Sequence, residues 1–366
     1  MRIQLKIILF QLLPILSIAQ QNFSDSLRNI FLSSKDDSVL YKTAHNLYIY
    51  YEELNRDSAF FYAGRCVLIS HKNNKKLNEA YSLTRKAYQE LHFGRYAESL
   101  HSLLDAFSIS ENEANDKYFW LTDPLRTEQN KRLYALACSH HIYGILMRET
   151  RNREQEIIHF KEAKKIAVEI KNPNRSLLAS LNLGRIYLES GKFDSALIYE
   201  NEAASISRNS GREKYLSTIF YYTGVININK GDTTSGLNYF YQSVKSAIEQ
   251  NNMDALARSY NGLAEYYIAK MRKDSSVYYA LRSLETSKKL GAISPLDYNV
   301  GLAYESVYRA YNLEKQFDSA YKYLALAQRT NDSINRQRIQ NLAKFQKLTL
   351  SEEQRLQNVE KERVIY

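Results

Sequence analysis

The chain has 366 residues, 44% of them hydrophobic and 25% charged, with 4 Pro, 12 Gly and 30 Tyr. This composition excludes wholesale disorder, and so few helix breakers beside so many rings favour long helices that meet through bulky side chains. The formal charge of +10 becomes +8 without Arg2 and Lys6, and the remaining cations are interspersed with acids. No basic stripe is gathered, so nucleic acid is not an expected partner.

Residues 1–19 have the layout of a secretory signal. Arg2 and Lys6 precede an apolar run from Ile7 to Ile18, and Ser17-Ile18-Ala19 offers small residues for cleavage. The run is short for a membrane span. Export to the periplasm is therefore expected, followed by a lead-in helix over residues 20–39. Export permits disulfides, but Cys66 and Cys138 fall in non-adjacent repeats and should lie too far apart to bridge.

From residue 40 to 334 one period dominates. Gly144, Gly184, Gly224 and Ala264 are each 40 apart, as are Ala163, Ala203, Ser243 and Ser283. Tyr199, Tyr239 and Tyr279 follow the same step, with Tyr62 and Tyr323 at matching places. Asp-Ser recurs ahead of Ala59, Ala196, Ser276 and Ala320, and the spacing predicts Asp194 or Ser195 as the N-cap of a second helix. Each unit reads as two helices whose axes approach at the small residues, with Tyr187 and Tyr199 filling the space around them. Polar breaks such as Asn172-Pro173-Asn174 and Asn251-Asn252 separate the units.

The pattern Leu183-Gly184-x-x-Tyr187, then Gly191-x-Phe193-x-x-Ala196, then Ala203 resembles the tetratricopeptide repeat, in a variant with lengthened turns or helices. The resemblance implies an all-α, right-handed solenoid of about seven helix pairs. Three positions depart from it: Glu156 stands where a small residue belongs, Asn227 where Tyr187 and Tyr267 stand, and Leu47 at a Gly/Ala place. Between the second and third units about 17 extra residues are inserted, around 114–136, including Trp120 and Pro124. This is either a plain loop or a lid on the binding groove.

Residues 335–366 read as one amphipathic helix or coiled coil, with Ile339, Leu342, Phe345 and Leu348 as a stripe. It either caps the last repeat or forms a homodimer stalk. A leader, a run of repeats and a charged tail helix together resemble the extracytoplasmic part of Bacteroidota repeat-containing sensor kinases and transcriptional regulators. That resemblance implies the sensing part of a signal-transduction receptor whose output domain is absent from this chain. A membrane tether then requires the chain to continue past Tyr366. The alternative is a free periplasmic adaptor or assembly scaffold.

No phosphate-binding loop, dinucleotide fingerprint, HExxH or nucleophile elbow is present, so neither an enzyme nor a cofactor is expected. His140 and His141 diverge by about 100° on a helix and do not suggest a metal site. Glu52-Glu53 and Glu352-Glu353 read as solvated carboxylates. The expected ligand is a protein or peptide held along the first helices of successive units. In this register Tyr48, Tyr51, Tyr88, His141, Arg148, Arg185, Tyr221, Asn261, Glu265 and Arg309 point there. Arg148, Arg185 and Arg309 would engage a carboxylate, and the Tyr rings would cover apolar side chains.

Overall fold

A computed structural model describes residues 23–52, 54–117, 120, 128–290 and 300–365. The leader expected over 1–19 lies outside these residues, as do 118–119 and 121–127 of the insert. Helix α1 covers 23–33. It is followed by α2 (Asp37–Tyr51), α3 (Arg56–Lys72), α4 (Lys76–His92), α5 (Tyr96–Ser110), α6 (Glu128–Glu149), α7 (Arg153–Glu169), α8 (Pro173–Glu189) and α9 (Phe193–Asn209). Then come α10 (Leu216–Asn229), α11 (Thr233–Glu249), α12 (Met253–Ala269), α13 (Lys273–Lys289), α14 (Val300–Glu314) and α15 (Phe317–Ile365). No strand occurs among the described residues. Helices α2 to α15 form seven consecutive pairs, the all-α solenoid architecture expected from the period.

The period has a simple local cause. Helices α7, α8, α9, α11, α12 and α13 are 17 residues each. The turns between them are three residues long, and each passes through a left-handed residue. Arg151, Lys171, Gly191, Gly211, Gly231, Asn251 and Met271 all have φ between +51° and +89° and recur every twentieth position. At Gly191 the turn closes with Lys192 N–H on the Tyr187 carbonyl (2.8 Å) and Gly191 N–H on Leu188 (3.0 Å). Those bonds satisfy carbonyls that the helix end would leave open. The lengthening over a 34-residue repeat therefore lies in the helices.

N-caps differ from the expectation at the second helices. Asn152, Asn172, Asp232 and Asn252 do accept a backbone N–H with their side chains. At α9, however, the cap position is Lys192, with no side-chain bond, and Asp194 lies in the first turn. There its charge faces the positive helix end, and Lys230 Nζ donates to it at 2.7 Å.

The chain divides into two units, residues 1–90 with 101–139, and residues 91–100 with 140–366. In the first, Tyr41, Ala44, Leu47, Tyr48, Ala59, Ala63 and Cys66 form the core, and Trp120 packs on it. The Trp120 backbone N–H donates to Asn78 Oδ1 at 2.8 Å, so this point of the insert is pinned to α4. In the second unit the small residues mark the seams within pairs. A Cβ added at Gly144 would meet the Phe160 ring at 3.0 Å, at Gly184 Glu200 Oε1 at 2.5 Å, and at Gly224 the Phe240 ring at 2.8 Å. Ala196, Ala203, Ser243, Ser283 and Ala264 are fully buried.

Stacked rings clasp the turns of three helix pairs. Tyr187–Tyr199, Tyr267–Tyr279 and Tyr311–Tyr323 lie 5.4–5.7 Å apart and within 12° of parallel. Asn227 interrupts the series and instead donates to the Thr223 carbonyl. Both cysteines are buried free thiols. Helix α15 shows no break at residue 335: the second helix of the last pair and the tail are one continuous 49-residue helix.

Candidate ligand site

Helices α6, α8, α10, α12 and α14 are the first helices of the pairs in the second unit. Near the end of α6, Arg148 donates from Nη1 to Asn182 Oδ1 on α8 at 3.1 Å and from Nε to Glu149 at 3.1 Å. Arg185 lies one turn further along α8. Its Nη2 donates to Glu156 Oε1 at 3.4 Å, and its Nε lies 3.3 Å from Glu189. Burial holds the Arg148 guanidinium below its ordinary value, and the charge of Arg185 adds to this. The charges of Arg148 on α6 and Arg185 on α8 therefore act on each other.

Glu156, the departure from the small-residue series, is only 1% exposed. It survives there because Arg153 Nη1 (2.8 Å) and Arg185 clasp its carboxylate, as a buried charge requires. Arg153 also donates to Glu189 and to the Ile186 carbonyl, both at 2.9 Å.

His141 lies beneath this cluster, edge-on to Phe160 at 5.4 Å. Burial, with the nearby charges of Arg175 and Arg148, lowers its pKa to about 3, so the ring is neutral at pH 7. Its Nδ1 is enclosed without a hydrogen-bond partner. The tail also reaches this place: Arg338 of α15 donates from Nη2 to the Glu149 carbonyl, 3.0 Å away and 189 residues distant in sequence. This carbonyl belongs to the last turn of α6, where a cation is favoured.

A second cluster lies on α12 and α14. Ser306 Oγ lies 2.6 Å from Asn261 Oδ1 and 2.8 Å from Glu265 Oε1, its one O–H shared between them, and Arg309 pairs with Glu265. Arg309 therefore belongs to this second cluster and does not join Arg148 and Arg185. Between the two clusters, Tyr222 interacts electrostatically with both Arg148 and Arg258, while Tyr221 packs against Phe240 at 6.1 Å. Burial pushes the Tyr221 phenol up to about 12.

Three expected ligand contacts are corrected by burial. Tyr48 is 1% exposed, capped by Arg85 at 4.5 Å over its ring and bonded to Glu52 (2.9 Å) and Gln89 (3.3 Å). Tyr51 is buried in a stack on Tyr62, under Arg28. His141 is buried as described. Helix register gave the face of each residue, but not how completely the next helix covers it. Tyr88 is half-buried on α4. Sequence reasoning missed Arg175, Asn182, Tyr222 and Arg338. Glu156 was the signal available for part of this, since a carboxylate in a seam demands a cation opposite.

Seven helix pairs, seams of small residues and left-handed turns at fixed spacing define a solenoid of tetratricopeptide-like helix pairs. Within that class, residues 21–123 match the family model described as the SusR N-terminal TPR domain. No curated protein matches the sequence. Among solved structures the chain resembles aspartyl phosphate phosphatase F from Bacillus subtilis, with 13% identity and TM-score 0.55 over 81% of this chain and 72% of that one. It also resembles the apo form of RapI, with 12% identity and TM-score 0.55 over 81% of this chain and 99% of that one. A third is the Rap conjugation gene regulator of plasmid pLS20 in complex with the Phr* peptide, with 13% identity and TM-score 0.54 over 93% and 96%. At such identities the likeness is one of fold. No helix among the described residues is long and apolar enough to cross a membrane.

Proposed function

We propose that this chain is an exported peptide- or protein-binding module, the sensing part of a signal-transduction receptor, and that its ligand presents a carboxylate to Arg148 and Arg185. The observation that carries the reading is the gathering of positive charge on adjacent first helices of the second unit. Arg148 and Arg185 act on each other, Arg175 and Arg148 act on His141, and Glu156 is already shared between Arg153 and Arg185. Cations withdrawn from water are costly without matching anions. The guanidinium fork suits a carboxylate held by two parallel hydrogen bonds. The fold supports a peptide in this role, since the Rap regulator of pLS20 has the same architecture and its structure contains one.

The tail supplies the signalling half of the reading. Glu149 touches Arg148 through its carboxylate and Arg338 through its carbonyl. A ligand that draws Arg148 off Glu149 therefore disturbs the residue on which α15 rests. Coupling of this kind is a difference in ligand affinity between two tail states.

The test is to pan a peptide library against the immobilised mature chain and to compare selected peptides with free and amidated C-termini. The free carboxylate is expected to bind at least tenfold more tightly, and Arg148→Ala is expected to abolish that preference with helicity unchanged by circular dichroism. Equal binding of the two peptide forms rejects the carboxylate reading. Peptide binding that leaves hydrogen exchange in α15 unaltered rejects the relay.

A further inference from the structure

His140 and His159 take no part in the Arg148 cluster. His140 lies on α6 and His159 on α7, and both rings are half-buried. Their Nδ1 atoms face each other at 2.9 Å, with ring centroids 5.0 Å apart. Tyr143, three residues beyond His140, stacks on the His159 ring at 4.2 Å and 27° and fixes its plane. Neutral imidazole is the form that ligates metals. Between the two facing nitrogens lies one N–H.

The separation is informative. Imidazole nitrogens bound to one metal ion at about 2.0–2.1 Å stand roughly 2.9 Å apart when they are cis at 90°, and about 3.3–3.4 Å apart at the tetrahedral angle. The pair therefore has the spacing of a right-angled edge, the geometry of tetragonal or octahedral Cu(II) and Ni(II) sites rather than of tetrahedral zinc, and the rings swing by up to about 45° off the line of the present N–H···N hydrogen bond to aim both lone pairs at the ion. A carboxylate is close by. Glu162 follows His159 by three residues, on the same face of α7, and its charge acts on the His159 ring. At present it faces Lys165, 3.5 Å away. Helix bundles build metal sites from a Glu and a His three residues apart on one helix, there with the Glu first, and from ligands on a facing helix. In the observed rotamers, no three His, Cys, Asp or Glu among the described residues surround one point. The nitrogen pair is thus the core of the site, completed by water and by rotation of Glu162.

We propose that His140 and His159 form a two-nitrogen site for a divalent transition-metal ion, with Ni(II) and Cu(II) preferred over Zn(II) and Glu162 as third ligand. The ring that donates its Nδ1–H moves that proton to Nε2 through solvent, so both Nδ1 lone pairs face the ion and no net proton is released. The bound ion bridges α6 and α7 within one helix pair. His141, adjacent in sequence, takes no part because its ring turns toward Phe160.

The experiment titrates the full mature chain with Ni(II), Cu(II) and Zn(II) by calorimetry at pH 7, and records the electron paramagnetic resonance spectrum with Cu(II) at one equivalent. One ion per chain is expected, with two-nitrogen hyperfine structure. His140→Ala and His159→Ala should each weaken binding at least tenfold, and Glu162→Gln by a smaller factor. His71→Ala should leave it unchanged, although His71 pairs with Glu79 at 2.6 Å and is the alternative His–carboxylate site. Because Cu(II) leads at most nitrogen sites, the order of Ni(II) over Zn(II) is the test of the 90° edge. If an alanine variant loses helicity, His159→Gln replaces it. Binding lost in His71→Ala and kept in His159→Ala overturns the site. So do fewer than two nitrogens on copper, tighter Zn(II) than Ni(II), or no binding at all. None of these outcomes bears on the carboxylate site at Arg148.

Discussion

Glu200 offers a measurement of how far the helix seams are closed to water. It lies on α9, is 0% exposed, and neither carboxyl oxygen has a hydrogen-bond partner. Forty residues to either side the same place holds Phe160 and Phe240, each over its glycine. Burial alone raises the Glu200 pKa well above the ordinary carboxylate value; no charged neighbour contributes. The folded chain therefore holds this proton more tightly than the unfolded chain. The stability that follows is present below the unfolded value of about 4.3 and is lost as pH rises through the raised folded value. The slope is at most about 1.4 kcal/mol per pH unit. Methionine fills a similar space without polar oxygens, and two unsatisfied oxygens cost about 1–3 kcal/mol even when neutral. Glu200→Met should therefore exceed the parent by about 1–3 kcal/mol at pH 5, with the gap widening toward pH 8. Glu200→Gln should flatten the pH slope and retain the unpaired polar cost. Urea unfolding followed by circular dichroism at pH 5, 6.5 and 8 reads all three chains. A gap independent of pH, or a Met variant weaker than the parent at pH 8, would mean that Glu200 has a partner or water in solution and that the reasoning is wrong.

Ala196→Leu, at a fully buried seam position, should cost roughly 1–3 kcal/mol by overpacking; a loss near zero in urea unfolding removes the seam assignment. Gly224→Ala should cost a similar amount, because its Cβ would meet the Phe240 ring at 2.8 Å and the Gly236 carbonyl at 3.2 Å. Met271→Gly, at φ +55°, should gain up to about 1 kcal/mol, since relief of the left-handed strain outweighs the extra chain entropy; a destabilised variant refutes this. Arg338→Ala should speed amide exchange over residues 334–349 of α15 and leave α8 and α9 unaffected. Unchanged exchange there means the Glu149 contact does not hold the tail.

The period of small residues located the seams correctly because a seam is a local requirement repeated by each pair: where two axes approach, Gly144, Gly184 and Gly224 leave room for the side chain opposite. The same period placed Arg148 and Arg185 on neighbouring first helices. Other features were not legible, because they depend on which surfaces distant segments bring together. Tyr48, Tyr51 and His141 occupy the expected helices but are covered by neighbours that a one-dimensional register does not count. Glu156 looked like a defect until Arg153 and Arg185 closed on it. His140 was read beside His141, its sequence neighbour, whereas the fold pairs it with His159. Arg338 meets Glu149 across 189 residues, with no motif to announce it. By itself, the sequence determined the helices, their 40-residue spacing and the small residues at which they touch, since these follow from backbone propensity and side-chain size within one repeat. Tertiary structure alone decided which charged and ring-bearing side chains face each other, because those distances depend on the stacking of successive helices and on the path of α15.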